Sequence, residues 1–230
     1  MKRLGYIITV SLIGGLVLSA CGSTPAPVID RASARNIDSN IEPNIKPNIK
    51  RGQNARLYTP APSGTLALPD RAAFLQKDKR WGHHTLGGSG ERLSTHGCVV
   101  TSAAMALANL GFETNPADLN ARLKQNGGFN DRGWFVWDSI RKVTDGAAYA
   151  QYYDTVDANI IDSCLADGAY PLTRFVLPNG RTHWAVVIAR DERGYHMRDP
   201  LRESNTPLLF PRGADAFKSV RCIGIKRAQT

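Results

Sequence analysis

Three residues of this chain could together break an acyl bond, and they lie far apart in it: Cys98, His183 and Asp199. Cys98 follows Gly97 and opens the run CVVTSAAMALANL, apolar enough for a buried helix that Gly111 would end. A helix N-terminus carries partial positive charge and free N–H groups. Both favour thiolate over thiol, and the N–H groups can hold an oxyanion formed on a carbonyl. A small buried core cysteine fits the same position equally well. His183 begins HWAVVIAR, a strand otherwise apolar, where an imidazole needs a partner. If the turn at Glu192, Arg193 and Gly194 pairs Arg190 with Gly194, then Ala185 faces Asp199. His183 becomes the diagonal neighbour of Asp199 on the same face, about 7–8 Å away by backbone. A slip of one residue would destroy this geometry. Asp199 before Pro200 also suits a plain strand-end turn. Read together, the three are nucleophile, base and orienter. One cysteine with a distant His and Asp is by itself a signal of low specificity.

The elements that must position them follow from local signals. After the helix at Cys98–Leu110, Asn115-Pro116 opens a second helix, with Asn as cap and Pro in the first turn, before Gly127-Gly128. A third helix is expected near Trp134 to Val143, and a fourth over Asp157 to Ala166, with Asp157 as cap and Gly168 as terminator. Strands follow: Tyr170 to Leu177, a hairpin signal at Asn179-Gly180, His183 to Arg190, Tyr195 to Asp199, and Ser219 to Lys226. Helices first and an antiparallel meander after them predict an α+β fold with segregated layers.

The globular part is expected over 69–230. Residues 1–20 have the form of an export signal: Lys2 and Arg3, an uncharged apolar run from Leu4 to Leu18, then Leu18-Ser19-Ala20-Cys21. The run is shorter than the roughly 20 residues that span a bilayer. The tetrapeptide resembles the lipobox of bacterial lipoprotein signals, which implies cleavage before Cys21 and lipid on its thiol. Residues 21–68 are rich in Ser, Pro, Ala, Asn and Gly, with Asn-Ile recurring every four residues as NIDS-NIEP-NIKP-NIKR. Pro43 and Pro47 break any helix there, and too little apolar surface exists to offset ordering entropy, so a semi-extended tether is expected. The formal charge of +9 is spread along the chain. From Pro69 onward 21 Lys and Arg stand against 17 Asp and Glu, a net +4. No basic run with interleaved aromatics occurs, so a nucleic-acid partner is not expected, and the charge reads as solvated surface. With Cys21 assigned to lipid, Cys98, Cys164 and Cys222 remain, an odd number that implies one disulfide and one free thiol in an oxidising compartment.

A family resemblance joins these features. Gln76, Asp78, Arg80 and Trp81 in QKDKRW precede GCVVTSAAM at Gly97 to Met105, Leu110-Gly111, Leu119-Asn120, LADGAYP at Leu165 to Pro171, His183-Trp184 and Asp199-Pro200. This order is similar to the bacteriocin-processing (double-glycine leader) peptidase-like family of papain-like cysteine peptidases, over roughly residues 70–226. The resemblance implies a papain-like fold, helices packed on a C-terminal sheet, with Cys98 as nucleophile, His183 as general base and acid, and Asp199 as its orienter. It implies that the Gln76 amide joins the Cys98 N–H in an oxyanion hole. Val99 stands where family members often have Gly, which removes no catalytic atom. No transporter segment is present, so the double-glycine specificity is not carried over. Cys164 and Cys222 are then the natural disulfide pair, leaving Cys98 free.

The remaining candidates are weaker. His96 is close to Cys98 in sequence and could polarise it, but a base on an opposing strand is held more rigidly. His83-His84 form no metal set with the other residues, and CxxC and HExxH are absent, so neither metal nor cofactor is expected. The expected function is an extracytoplasmic cysteine hydrolase of peptide or isopeptide bonds, with acyl transfer a close variant. The rivals are a non-catalytic peptide- or cell-wall-binding lipoprotein, and a structural lipoprotein with Cys98 in a disulfide. Membrane attachment through Cys21 is expected. Gly22 rather than Asp after it points, by analogy with sorting rules, to the outer membrane facing the periplasm of a two-membrane bacterium.

Overall fold

The computed structural model describes residues 64–153, 155–210 and 212–226. The expected signal, the lipidation site Cys21 and most of the expected tether lie outside the described residues. The fold is α+β: helices packed on one antiparallel sheet.

The central helix is α2 (Cys98–Asn109), preceded by the short α1 (Leu93–His96). Val100, Ala103, Ala104, Met105, Ala106 and Leu107 are all buried, so α2 is apolar around most of its circumference, as a helix enclosed by its fold must be. Gly97 joins the two helices. A Cβ there would lie 2.5 Å from both Leu93 Cδ2 and Leu93 O, so only glycine lets α1 end this close to α2. Helix α3 (Pro116–Gln125) starts where expected. Asn115 Oδ1 accepts from the N–H groups of Ala117 and Asp118, satisfying two of the donors left open at a helix start. Helix α5 (Ala158–Ala166) is capped by Asp157, whose carboxylate accepts from Ile160 N.

The sheet contains β1 (Leu66–Ala67), β2 (Ala148–Tyr152), β3 (Tyr170–Val176), β4 (Thr182–Asp191), β5 (Gly194–Arg198), β6 (Leu208–Phe210) and β7 (Ser219–Ile225). Its order is β2-β7-β3-β4-β5-β6, with β1 paired to β4. The expected simple meander is therefore corrected in one respect: β7 returns to lie between β2 and β3. Strands β1, β2 and β6 carry no sequence signal strong enough to separate them from loops. The packed part also begins earlier than position 69. Leu66 and Ala67 pair with Arg190 and Ala189, and Leu68 N donates to Ile188 O.

The expected helix from Trp134 is shortened to α4 (Ser139–Val143). Phe135 forms an antiparallel bridge with Phe129 instead. Asn130 Oδ1 accepts from Arg132 N and Trp134 N, which folds the segment into a loop. Ring packing of Phe135 on Trp137, and of Trp137 on Trp184, outweighs its helical pattern. Cys164 of α5 and Cys222 of β7 form a disulfide, and Cys98 is free.

Candidate active site

Strand β4 delivers His183 to the sheet face that Asp199 reaches from the end of β5. Near the turn the register is Arg190 with Tyr195, one step from the expected pairing of Arg190 with Gly194. A β-bulge between Val187 and Ala189 absorbs one residue, and beyond it Val187 pairs with Met197 and Val186 with Arg198. That restores the expected alignment at the site end. The result is a hydrogen bond of 2.7 Å between His183 Nε2 and Asp199 Oδ1. Both groups are deeply withdrawn from water, and His183 is 2% exposed.

Asp199 is held from three sides. Besides His183, its Oδ1 accepts from Leu201 N at 2.9 Å, and Arg202 lies 3.8 Å from its Oδ2. Burial pushes its carboxyl up, but the bond and charge of His183, the Leu201 N–H and Arg202 outweigh burial, so the net shift is downward. An ionised Asp199 can only accept, so His183 Nε2 carries a proton and Nδ1 is the ring atom left for a second partner. Cys98 bears on the same ring. Burial disfavours the imidazolium, but the hydrogen bonds to Asp199 and Cys98, and the charges of both, raise the His183 pKa to about 9. Edge-on packing of His183 against Phe175, with ring centroids 5.4 Å apart, fixes the ring plane.

Cys98 is half-buried, in the first turn of α2 with Gly97 as N-cap. Its backbone N–H is among those with no intrahelical acceptor. Ser102 Oγ, one turn on, donates to Trp184 O at 3.3 Å, tying the helix of Cys98 to the strand residue beside His183. Gln76 is 2% exposed and bridges both halves of the site. Its backbone N donates to Pro200 O at 2.9 Å, next to Asp199. Its Nε2 donates to Ser94 O at 3.0 Å, just upstream of Cys98, while Oε1 has no hydrogen-bond partner. One Nε2–H remains uncommitted.

The other histidines go elsewhere. His96 is half-exposed at the rim of the Cys98 cleft, and its Nδ1 lies 2.7 Å from Glu91 Oε2 and 3.0 Å from Thr95 Oγ1. His83 and His84 stack edge to face, and burial first, then the charges of His83 and Lys124, lowers the His84 pKa. No cluster of three metal-ligating side chains occurs among the described residues.

Cys98 opens onto a cleft of about 770 Å³ between α2, the loop through Trp134 and the sheet. Trp137 and Trp184 pack 5.2 Å apart in its wall, and Trp134 is 62% exposed beside it. Four arginines line it, at positions 132, 174, 181 and 221. The chain order scatters them, so their convergence was not expected. The available signal was a lone arginine inside each of two apolar strand runs, LTRF and VRC. Also unanticipated is Arg198, which is buried beside Asp199. Its Nε and Nη2 meet Asp70 at 2.8 and 2.7 Å, and its Nη1 and Nη2 reach Ser204 O and Asn205 O.

No protein-family model and no curated protein matches the chain. Among solved structures it is similar to a Bacillus anthracis chain described as a C39-like peptidase, at 16% identity with a TM-score of 0.45, over 71% of this chain and 98% of that one.

Proposed function

We propose that this protein is a papain-like cysteine hydrolase of amide bonds, in which Cys98 attacks the carbonyl of a peptide or isopeptide substrate. The observation that carries the reading is His183, buried and bonded to Asp199 through one ring nitrogen, with Cys98 acting on the same ring. An imidazolium held to about pH 9 by a carboxylate is a proton donor poised beside a sulfur nucleophile. Attack by sulfur places negative charge on the carbonyl oxygen. The Cys98 N–H at the start of α2 and the free N–H of Gln76 Nε2 would receive it. His183 then gives its proton to the leaving amine. Water, deprotonated by His183, releases the acyl group from Cys98 and returns the imidazolium. An amine in place of water gives acyl transfer. The resemblance of Leu18 to Cys21 to a lipobox supports a lipid-anchored enzyme outside the cytoplasm, acting on peptide or cell-wall peptide.

The test is turnover of a peptide and muropeptide library, with mass analysis of trapped acyl-enzyme. Cleavage with an acyl adduct on Cys98, abolished in Cys98→Ala and lowered about 10²–10³-fold in Gln76→Ala, is the expected result. Amide cleavage that persists in Cys98→Ala would refute it.

A further inference from the structure

The arginines of the Cys98 cleft differ from most others among the described residues. Arg80, Arg122, Arg141, Arg190, Arg193, Arg198 and Arg202 each lie within 4 Å of a carboxylate. None of the four cleft arginines pairs with a carboxylate among the described residues. The cleft's one acidic side chain, Glu91, is occupied by His96.

The sheet register explains how two of them converge. Arg174 of β3 faces Ser219 of β7 and Trp184 of β4, and Arg221 of β7 faces Leu172 of β3 and Tyr152 of β2. Arg174 and Arg221 are therefore diagonal neighbours on one face. Arg221 is the more firmly held of the two. Arg221 lies 3.5 Å from the centre of the Tyr152 ring, and its Nη1 donates to Val220 O at 2.6 Å. Arg174 Nη2 reaches Lys218 O at 3.5 Å. The Nε of each is buried without a hydrogen-bond partner. Arg181 Nη2 donates to Thr95 O at 3.2 Å across the cleft, and Arg132 lies 5.3 Å from the Trp134 ring centre.

Like charges gathered in a cleft without carboxylate partners concentrate positive potential where a ligand would lie. We infer that the cleft selects an acidic peptide, with a side-chain or terminal carboxylate received by Arg174 and Arg221 in the cleft that Cys98 also lines. This rests on the hydrolase reading for its substrate class. A guanidinium fork matches a carboxylate, and acyl chemistry at Cys98 requires an acyl substrate rather than a phosphate polymer. The interleaved Trp137 and Trp184 supply apolar walls for the side chains between.

Two measurements separate this inference from the hydrolase reading. The first compares alkylation of Cys98 by iodoacetate and iodoacetamide, which needs no turnover. The ratio of anionic to neutral rate should exceed that of a small free thiol by about tenfold, fall in Arg174→Gln and Arg221→Gln, and fall in the unaltered protein as salt rises. The second compares Glu- and Gln-containing versions of the cleaved peptides, with about tenfold or more in kcat/KM favouring Glu at one position. A rate ratio no higher than that of a free thiol, unmoved by salt, overturns the anionic selection even if peptides are cleaved. Equal use of Glu and Gln peptides overturns it too. Competition by an oligonucleotide but not by acidic peptides would overturn the choice of substrate class. Anionic preference without any peptide cleavage would support the arginine site and refute the hydrolase.

Discussion

His183 and Asp199 share one face of the sheet because β4 carries one more residue than β5 between their turn and the site. Without the bulge around Ile188, the turn register would carry through. Asp199 would then fall on the face of Val186 and Trp184, opposite to His183. The bulge is also covered: Leu68 N donates to Ile188 O, so β1 occupies a backbone acceptor that the kink exposes. The pairing of two site residues thus depends on an irregularity several residues from either.

That pairing sets a pH dependence. His183 has its pKa raised from 6.5 to about 9, so the stability it contributes is complete below pH 6.5 and lost as pH rises through 9. Asp199 has its pKa lowered from 3.8, so its contribution is complete above 3.8 and lost as pH falls through the depressed value. Both act in full between about pH 4 and 6.5. Urea titrations should show a difference between the unaltered protein and His183→Gln that shrinks by on the order of 3 kcal/mol between pH 6 and 10. A pH-independent difference would contradict the ion pair.

Asp199→Asn keeps the shape and removes the charge. A charge-assisted bond contributes about 1.5–3 kcal/mol, so kcat/KM should fall about 10- to 100-fold. An alkaline limb of the rate profile is expected near pH 9 in the unaltered protein and closer to neutrality in the variant. Loss of rate with an unmoved limb would assign Asp199 a structural role only.

Gly97→Ala should destabilise by about 1–3 kcal/mol, since the new Cβ meets the backbone oxygen of Leu93 as well as its side chain. Relief comes only by moving α1 from α2, which displaces Cys98. Activity of the folded fraction should therefore drop too. Full activity per folded molecule would show that the helix junction does not position Cys98 for the proposed reaction.

Arg198→Ala leaves Asp70 and two carbonyls without their partner beside Asp199. Its cost should be on the order of 3 kcal/mol, and Asp70→Ala with Arg198→Ala should cost less than the two singles added. Chemical denaturation of the three variants checks this; strict additivity would show that the pair is not coupled.

The sequence carried the helix starts well, because Asn115, Asp157 and Gly97-Cys98 are local signals that tertiary packing reinforces. It also carried the face shared by His183 and Asp199, although the alignment drawn from the turn holds only beyond the bulge. Where it misled, long-range packing decided. Trp134 and Phe135 have a helical pattern, but Asn130 Oδ1 accepts from Trp134 N, and the bridge to Phe129 and the ring contact to Trp137 hold Phe135, so both lie in a loop. The placement of β7 beside β2, and the convergence of Arg174 with Arg221, are properties of the sheet order that no short stretch encodes.

The most direct measurement is the rate of Cys98 alkylation by a neutral electrophile across pH, in the unaltered protein and in His183→Ala. The account predicts rapid labelling of Cys98 at neutral pH, with a change in the profile near pH 9 as His183 loses its proton, and loss of both features in the variant. The same rate and profile in the two proteins would contradict a Cys98–His183 pair, and with it the proposed hydrolase.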